Sequence, residues 1–277
     1  MIVPGFAQRY PKDEDGLLWG EPLLLESCCT SLTEALAAEK RGADRIELCV
    51  DLTGGGFTPP RDLIRDVVAV LTIPVNVLIR PSTRDALCGS LRNRLASLDP
   101  SHAAHGPLPL TSRGWLRVSE GSTPAHYSRV EDFSFGDFVY DEADLEQMIE
   151  DIDYCKSVGA AGIVVGALTP EGAVDQDAMR RLVAAAQPLP VTFHRAFDVC
   201  TEDPFAALDK IIALGCARLL TSGQAPNAWE GRRLIQEMVQ YADARLVILA
   251  GKGVTSDNLA ELAAATGAKE FHGTRIP

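Results

Sequence analysis

The chain has 277 residues, 46% of them hydrophobic, which suits one large α/β barrel domain with a substantial core. A formal net charge of -12 disfavours binding to a nucleic-acid backbone or an anionic membrane, so small ligands are the expected partners. The N-terminus has no basic segment followed by an apolar run, and no apolar run reaches the roughly 18 residues of a membrane span. These features indicate a soluble cytoplasmic protein.

The seven cysteines are scattered along the chain rather than clustered. An odd number at this low density is unlike the disulfide framework of a small secreted domain. We therefore expect reduced thiols, which can act as metal ligands or nucleophiles where they lie in a cleft.

From residue 23 onward, short apolar segments alternate with amphipathic segments, which is typical of repeated βα units. The predicted strands cover residues 23–28, 45–49, 75–79, 162–165, 191–193, 218–220, 246–249 and 270–272. The predicted helices cover residues 33–41, 61–71, 142–158, 177–186, 204–214, 231–242 and 256–265. Several are followed by a glycine, as at Gly42, Gly159 and Gly215. Eight units predict a TIM-type (β/α)8 barrel of the α/β class, with the eighth helix missing or truncated because the sequence stops five residues after His272.

Two segments do not follow this repeat. Residues 1–22 are predicted to be an N-terminal extension, and residues 23–277 a single barrel domain. The domain is interrupted at about 83–135 by a segment rich in Ser, Pro, Gly, His and Arg. We predict a disordered insertion there, because few apolar residues are available to offset the entropy of ordering, and a lid is the alternative.

Polar side chains are predicted to line the barrel interior. Side chains alternate between the two faces of a strand, and the aliphatic residues suit the side that meets the helices. The remaining face carries Glu26, Cys28, Glu47, Cys49, Asn76, Arg80, Thr192, His194, Glu270 and His272. Each could be structural by itself, and Glu47 with Arg80 could form a buried ion pair. Because five strands contribute at one end of one barrel, the set predicts a functional site.

One function that fits this lining is an enzyme of the lyase or isomerase class acting on a small anionic substrate, phosphorylated substrates included. The candidate catalytic residues are His194, Glu47, Arg80, Glu26 and His272. His194 and Glu47 would act as acid and base, and Arg80 would hold the anion. A scaffold or interaction module is another hypothesis, on which the acidic composition says little.

Turns after the late strands predict an anion site. The candidate anion-binding residues are Arg80, Thr221, Ser222, Gly251 and Gly253. Glycine-rich turns there expose backbone N–H groups that can hold phosphate or carboxylate, although tight-turn geometry alone also explains the glycines. Lys252, in the same turn, makes a Schiff-base mechanism a further option. Residues 54–60 are predicted to be a simple turn before a proline-led helix start, with a mobile mouth loop as the alternative.

A set of motifs in this order resembles the CutC family of copper homeostasis proteins over residues 23–272, the insertion excluded: LLLESCCTS, GADRIELC, GGFTPP, VLIRP, GDFVY, GIVVGALTPEGAVD, LPVTFHRAFD, LLTSG and EFH. The resemblance implies a TIM-type barrel, a homo-oligomer such as a dimer or tetramer, and Cu(I) as the bound metal. It also implies that Cys28 and Cys49 are the copper ligands, and thiolates suit soft Cu(I). The chain departs from the family's usual residues at Thr30, Ser82 and Lys252, so we expect the mouth of the site to differ. Copper homeostasis is therefore the expected function, and an uncharacterised enzyme is the alternative.

Overall fold

The computed structural model describes residues 22–81, 135–274 and 276–277. Within these ranges eight parallel strands close into a barrel in chain order. The strands are β1 (Leu24–Cys29), β2 (Arg45–Leu48), β3 (Val75–Leu78), β4 (Gly162–Val165), β5 (Val191–Phe193), β6 (Arg218–Thr221), β7 (Val247–Gly251) and β8 (Glu270–Gly273). The α-helices that alternate with them are α1 (Leu32–Arg41), α2 (Arg61–Val70), α3 (Glu142–Val158), α4 (Gln176–Ala186), α5 (Pro204–Ala213), α6 (Arg232–Ala242) and α7 (Leu259–Thr266).

This topology confirms the predicted TIM-type (β/α)8 barrel. In the described ranges no α-helix follows β8. The predicted extension over residues 1–22 and the predicted insertion at about 83–135 lie outside the described residues, apart from residues 22 and 135. None of the helices described is both long and apolar enough to cross a lipid bilayer.

Local sequence signals set the ends of several helices. The Asp141 side chain accepts a hydrogen bond from the Asp144 backbone N–H, and the Asp144 side chain accepts one from the Asp141 backbone N–H, which closes a capping box at the start of α3. Gly159 ends α3 with a φ of 86°, and Gly42 ends α1 with a φ of 101°. L-residues rarely adopt these left-handed angles, so glycine allows each helix to stop and turn back into the next strand.

Alternation along the strands divides apolar from polar side chains. Ile46, Leu48, Val77, Phe193 and Phe271 are fully buried and belong to the large hydrophobic core. The residues between them in sequence point into the barrel, where polar groups need partners because water is excluded. The helix-side packing therefore supplies the main apolar core, and the barrel interior holds polar groups beside a small apolar cluster of Cys28, Cys49, Leu78 and Val164.

An ion network fills the amino-terminal part of the barrel interior. The Arg45 guanidinium pairs with both Glu26 and Glu270, and Arg218 Nε donates to Glu270 Oε2 at 2.8 Å. Asn76 Nδ2 adds a hydrogen bond of 3.2 Å to Glu26 Oε2. Two carboxylates are thus balanced by two guanidiniums, which meets the electrostatic requirement for burying them. Glu26, a candidate catalytic residue in the sequence, lies in this network.

Candidate functional site

A cavity of about 560 Å³ lies at the carboxyl ends of the strands. This is the end at which TIM barrels place their chemistry. The predicted residues that line it are Cys28, Glu47, Cys49, Arg80, His194 and His272. Glu26 is not among the lining residues within the described part of the chain. The barrel therefore brings six of the seven residues predicted for catalysis or metal binding into one space.

One side of the cavity carries sulfur and carboxylate groups. Cys28 and Glu47 are register partners on β1 and β2, and Cys49 follows β2 directly. The Sγ atoms of Cys28 and Cys49 are 3.5 Å apart. Possible ligand atoms of Cys28, Glu47 and His272 all lie within 4.8 Å of one another. This arrangement offers a thiol, a carboxylate and an imidazole to a single cation, with the Cys49 thiol beside that of Cys28.

Charge on this side depends on burial and on close neighbours. The hydrogen bond with Cys49, together with burial and the Glu47 charge, raises the pKa of Cys28 well above its usual value. Burial by itself would lower the pKa of His272, but the paired Glu47 carboxylate raises it above the usual value. The Cys28 thiol is consequently protonated at neutral pH, and the His272 imidazolium is favoured beside Glu47.

The other side of the cavity carries Arg80. Its Nη1 donates to the carbonyl oxygen of Gly56 at 3.0 Å, and its guanidinium lies 4.7 Å from the ring centre of Phe57 and 4.9 Å from that of Phe138. Ring faces attract cations, so these contacts hold the guanidinium in a defined orientation. The Arg80 backbone N–H donates to Thr58 Oγ1 at 2.8 Å, which ties the end of β3 to the neighbouring loop.

His194 lines the same side and is neutral. Its Nδ1 accepts the backbone N–H of Ala196 at 3.2 Å, which assigns the ring proton to Nε2. Burial and the nearby Arg80 charge lower the pKa of His194 to about 3. Nε2 is fully buried and has no hydrogen-bond partner among the described residues. The residue therefore presents an N–H donor rather than a base.

Arg195 joins the cavity from the short 3-10 helix Arg195–Val199. Its Nε donates to Asp198 Oδ2 at 3.0 Å. The Asp198 carboxylate also accepts the hydroxyl of Thr221 at 2.5 Å and the hydroxyl of Ser222 at 2.9 Å. The donors of Thr221 and Ser222, predicted to bind an external anion, are thus engaged with a carboxylate of the chain itself.

The remaining predicted anion-binding groups lie in the turn after β7. Gly251, Lys252 and Gly253 are not among the cavity-lining residues in the described part of the chain. Lys252 and Gly253 have φ angles of 74° and 72°, and a side chain at Gly253 would meet Asn227. Tight-turn geometry accounts for Gly253, and an anion-binding role for this turn stays a prediction.

Arg195 and Phe138 line the cavity without having been predicted from the sequence, and the loop at residues 52–56 lines it where the sequence favoured a simple turn over a mouth loop. Strand alternation places His194 inward and Arg195 outward, but β5 ends at Phe193 and the following 3-10 helix brings both residues to the cavity. The position of Arg195 two residues after the end of β5 was the available signal. The loop folds through an antiparallel bridge between Val50 and Phe57, which shapes one side of the cavity mouth.

Comparison with known proteins gives one consistent result. The CutC family model matches residues 23–93 and 127–277. A family protein CutC of Parabacteroides distasonis is 39% identical over 250 residues, which cover 90% of this chain and 81% of that protein. The Homo sapiens protein named copper homeostasis protein cutC homolog is 36% identical over 264 residues, covering 95% and 77% respectively. The crystal structure of a CutC protein from Streptococcus agalactiae aligns with a TM-score of 0.69 at 30% identity, covering 92% of this chain and 100% of that one.

Proposed function

The chain belongs to the CutC family, and from that premise we propose that it acts in copper homeostasis by binding Cu(I) through the thiolates of Cys28 and Cys49. The observation that carries the proposal is the 3.5 Å separation of the two Sγ atoms at the cavity. Thiolates are soft ligands that Cu(I) prefers, and both cysteines are buried.

The surroundings of the two cysteines are consistent with a bound cation. Glu47 and His272 place a carboxylate and an imidazole close to Cys28, and both lie on the same side of the cavity. A metal ion would replace the thiol proton that the Cys49 hydrogen bond and burial retain on Cys28, so binding would release protons. Copper is the cargo in this proposal, and the protein supplies a shielded soft site for it.

A reducing, cytoplasmic location is part of the proposal. The six cysteines in the described part of the chain are free thiols, as thiolate coordination of Cu(I) requires. The homo-oligomer implied by the family resemblance stays a prediction, and light scattering on the eluting protein is the measurement that checks it.

Anaerobic titration of the reduced protein with Cu(I), in competition with a chromophoric chelator, tests the copper site. The double variant Cys28→Ser/Cys49→Ser should lose stoichiometric binding, because hydroxyl groups are poor ligands for Cu(I). Cys29→Ser is the matched control, since Cys29 is buried on the opposite face of β1 with its Sγ 3.8 Å from Ser27 Oγ. Binding by the double variant equal to that of wild type would contradict the proposal and direct attention to Cys29 or Cys200.

A second candidate function is catalysis of a lyase or isomerase reaction on a small anionic substrate. The Glu47–His272 ion pair favours it, because a carboxylate and an imidazolium in contact can accept and donate a proton in one cavity. His194 would contribute its Nε2–H as a donor to a developing negative charge, since its Nδ1 is engaged by Ala196.

Mass spectrometry of small molecules released from the purified, metal-free protein tests this second function. An organic acid or phosphate ester that wild type converts, and that Glu47→Gln converts at least about 100-fold more slowly, would support it. Conversion by Glu47→Gln at the wild-type rate, or the absence of any released molecule, would count against it.

A further inference from the structure

Positive and hydrogen-bond-donating groups are concentrated on one side of the cavity. The carboxyl ends of β3 and β5 bring Arg80, His194 and Arg195 to this side, while Glu47 and the two cysteines come from β1 and β2. The chain as a whole carries a formal net charge of -12. A positively charged cluster attracts anions to the cavity, whereas most of the surface of this acidic protein repels them.

The buried N–H donor of His194 indicates which kind of ligand atom this side of the cavity binds. Its Nε2–H is buried without a hydrogen-bond acceptor among the described residues, and such a donor is unfavourable unless a ligand or water satisfies it. Because Nδ1 is engaged by the Ala196 backbone, Nε2 keeps its proton and cannot coordinate a metal ion. An oxygen acceptor is therefore the complementary group for this atom.

The two guanidiniums suit the same kind of ligand. The Gly54 and Gly56 carbonyl oxygens and two aromatic rings orient the Arg80 guanidinium. Arg195 is oriented by its hydrogen bond to Asp198, whose carboxylate has four further donors of its own from Thr221, Ser222 and Gln224. A planar guanidinium presents paired N–H groups that match the oxygens of a carboxylate or phosphate.

We propose that Arg80, His194 and Arg195 form a binding site for the oxyanion group, carboxylate or phosphate, of a small organic ligand. The cavity volume of about 560 Å³ is in the range that holds such molecules. In the lyase or isomerase reaction proposed above, this site would bind the anionic group of the substrate. Binding itself requires neither copper nor catalysis, so its test is separate from the tests of both functions above.

Isothermal titration calorimetry of the metal-free protein with inorganic phosphate, and separately with acetate, tests the site. Wild type should bind at least one of these probes. His194→Asn should weaken binding at least about 10-fold, because asparagine can still cap Ala196 but lacks the Nε2–H donor. Arg195→Gln should also weaken binding at least about 10-fold, and its partner Asp198 retains the other donors.

Arg180→Gln is the matched control. Arg180 pairs with Asp177 three residues away, as Arg195 pairs with Asp198, but it lies on the exposed surface of α4. This variant should bind within about twofold of wild type. A preference for phosphate over acetate would assign phosphate esters as the ligand class, and the reverse would assign organic acids. No binding of either probe by wild type, or equal affinities for Arg195→Gln and Arg180→Gln, would overturn the proposal.

Discussion

Replacement of Arg45 by methionine should destabilise the barrel more than any surface change. The Arg45 side chain is 6% exposed and pairs with Glu26, which is fully buried, and with Glu270. Arg218 still contacts Glu270 in the variant, so the main loss is the cation beside Glu26. Removing one partner of a buried ion pair costs about 3–5 kcal/mol, because the other charge stays buried without compensation. That is a large fraction of the roughly 5–15 kcal/mol stability of a domain.

Urea-induced unfolding at neutral pH measures this loss. The control is Arg233→Met, since Arg233 and Glu237 form a helix-surface pair with side-chain exposures of 89% and 45%, and its loss should be under about 1 kcal/mol. The double variant Arg45→Met/Glu26→Gln should recover at least about 1 kcal/mol, because the neutral amide is less costly to bury than an unpaired carboxylate. A loss below about 1 kcal/mol for Arg45→Met, or no recovery in the double variant, would refute the reasoning.

The same network predicts a dependence on pH. Burial by itself would raise the pKa of Glu270, but Arg45 and Arg218 lower it below its usual value of 4.5. A carboxyl with a lowered pKa stabilises the folded state above pH 4.5, and this contribution is lost as the pH falls through the folded-state value. In Arg45→Met this acid-dependent loss should be smaller, because one of the two cations that lower the pKa is absent.

Two further predictions concern His194. Its pKa of about 3 in the folded state lies below the usual 6.5, so the unfolded chain takes up a proton that the folded chain does not, and stability falls as the pH falls below 6.5. Urea unfolding of His194→Asn should therefore show about 2 kcal/mol less destabilisation than wild type between pH 7 and pH 5, and equal pH dependence would contradict the buried neutral state. Gly166→Ala should weaken phosphate binding and cost about 1–3 kcal/mol, because its Cβ would lie 2.5 Å from His194 Nδ1 and displace the ring. Gly215→Ala is the control, because Gly215 has a φ of 79° and no atom lies within 4 Å of the new Cβ. This variant should lose stability through backbone strain, and calorimetry should show an unchanged affinity for phosphate.

The sequence by itself determined the barrel and most of its polar lining. Apolar periodicity located eight strands and the helices between them, and residue alternation placed Glu47, Arg80 and His194 toward the interior, because both signals depend only on local backbone geometry. The CutC motifs, including the cysteines at the ends of β1 and β2, are also identified from the residue order along the chain.

The tertiary structure alone decided which of those polar groups meet. Glu26 and Glu47 point into the same barrel, yet Glu26 lies in the ion network with Arg45 and Glu47 lies at the cavity beside His272. The stagger between strands sets the height of each side chain along the barrel axis, and no local sequence pattern predicts that height. Likewise the donors of Ser222 are engaged by Asp198, a contact across 24 residues that depends on the closed barrel. The strand face on which a side chain lies follows from its position along the chain. The groups that this side chain contacts follow from how the eight strands are aligned against each other.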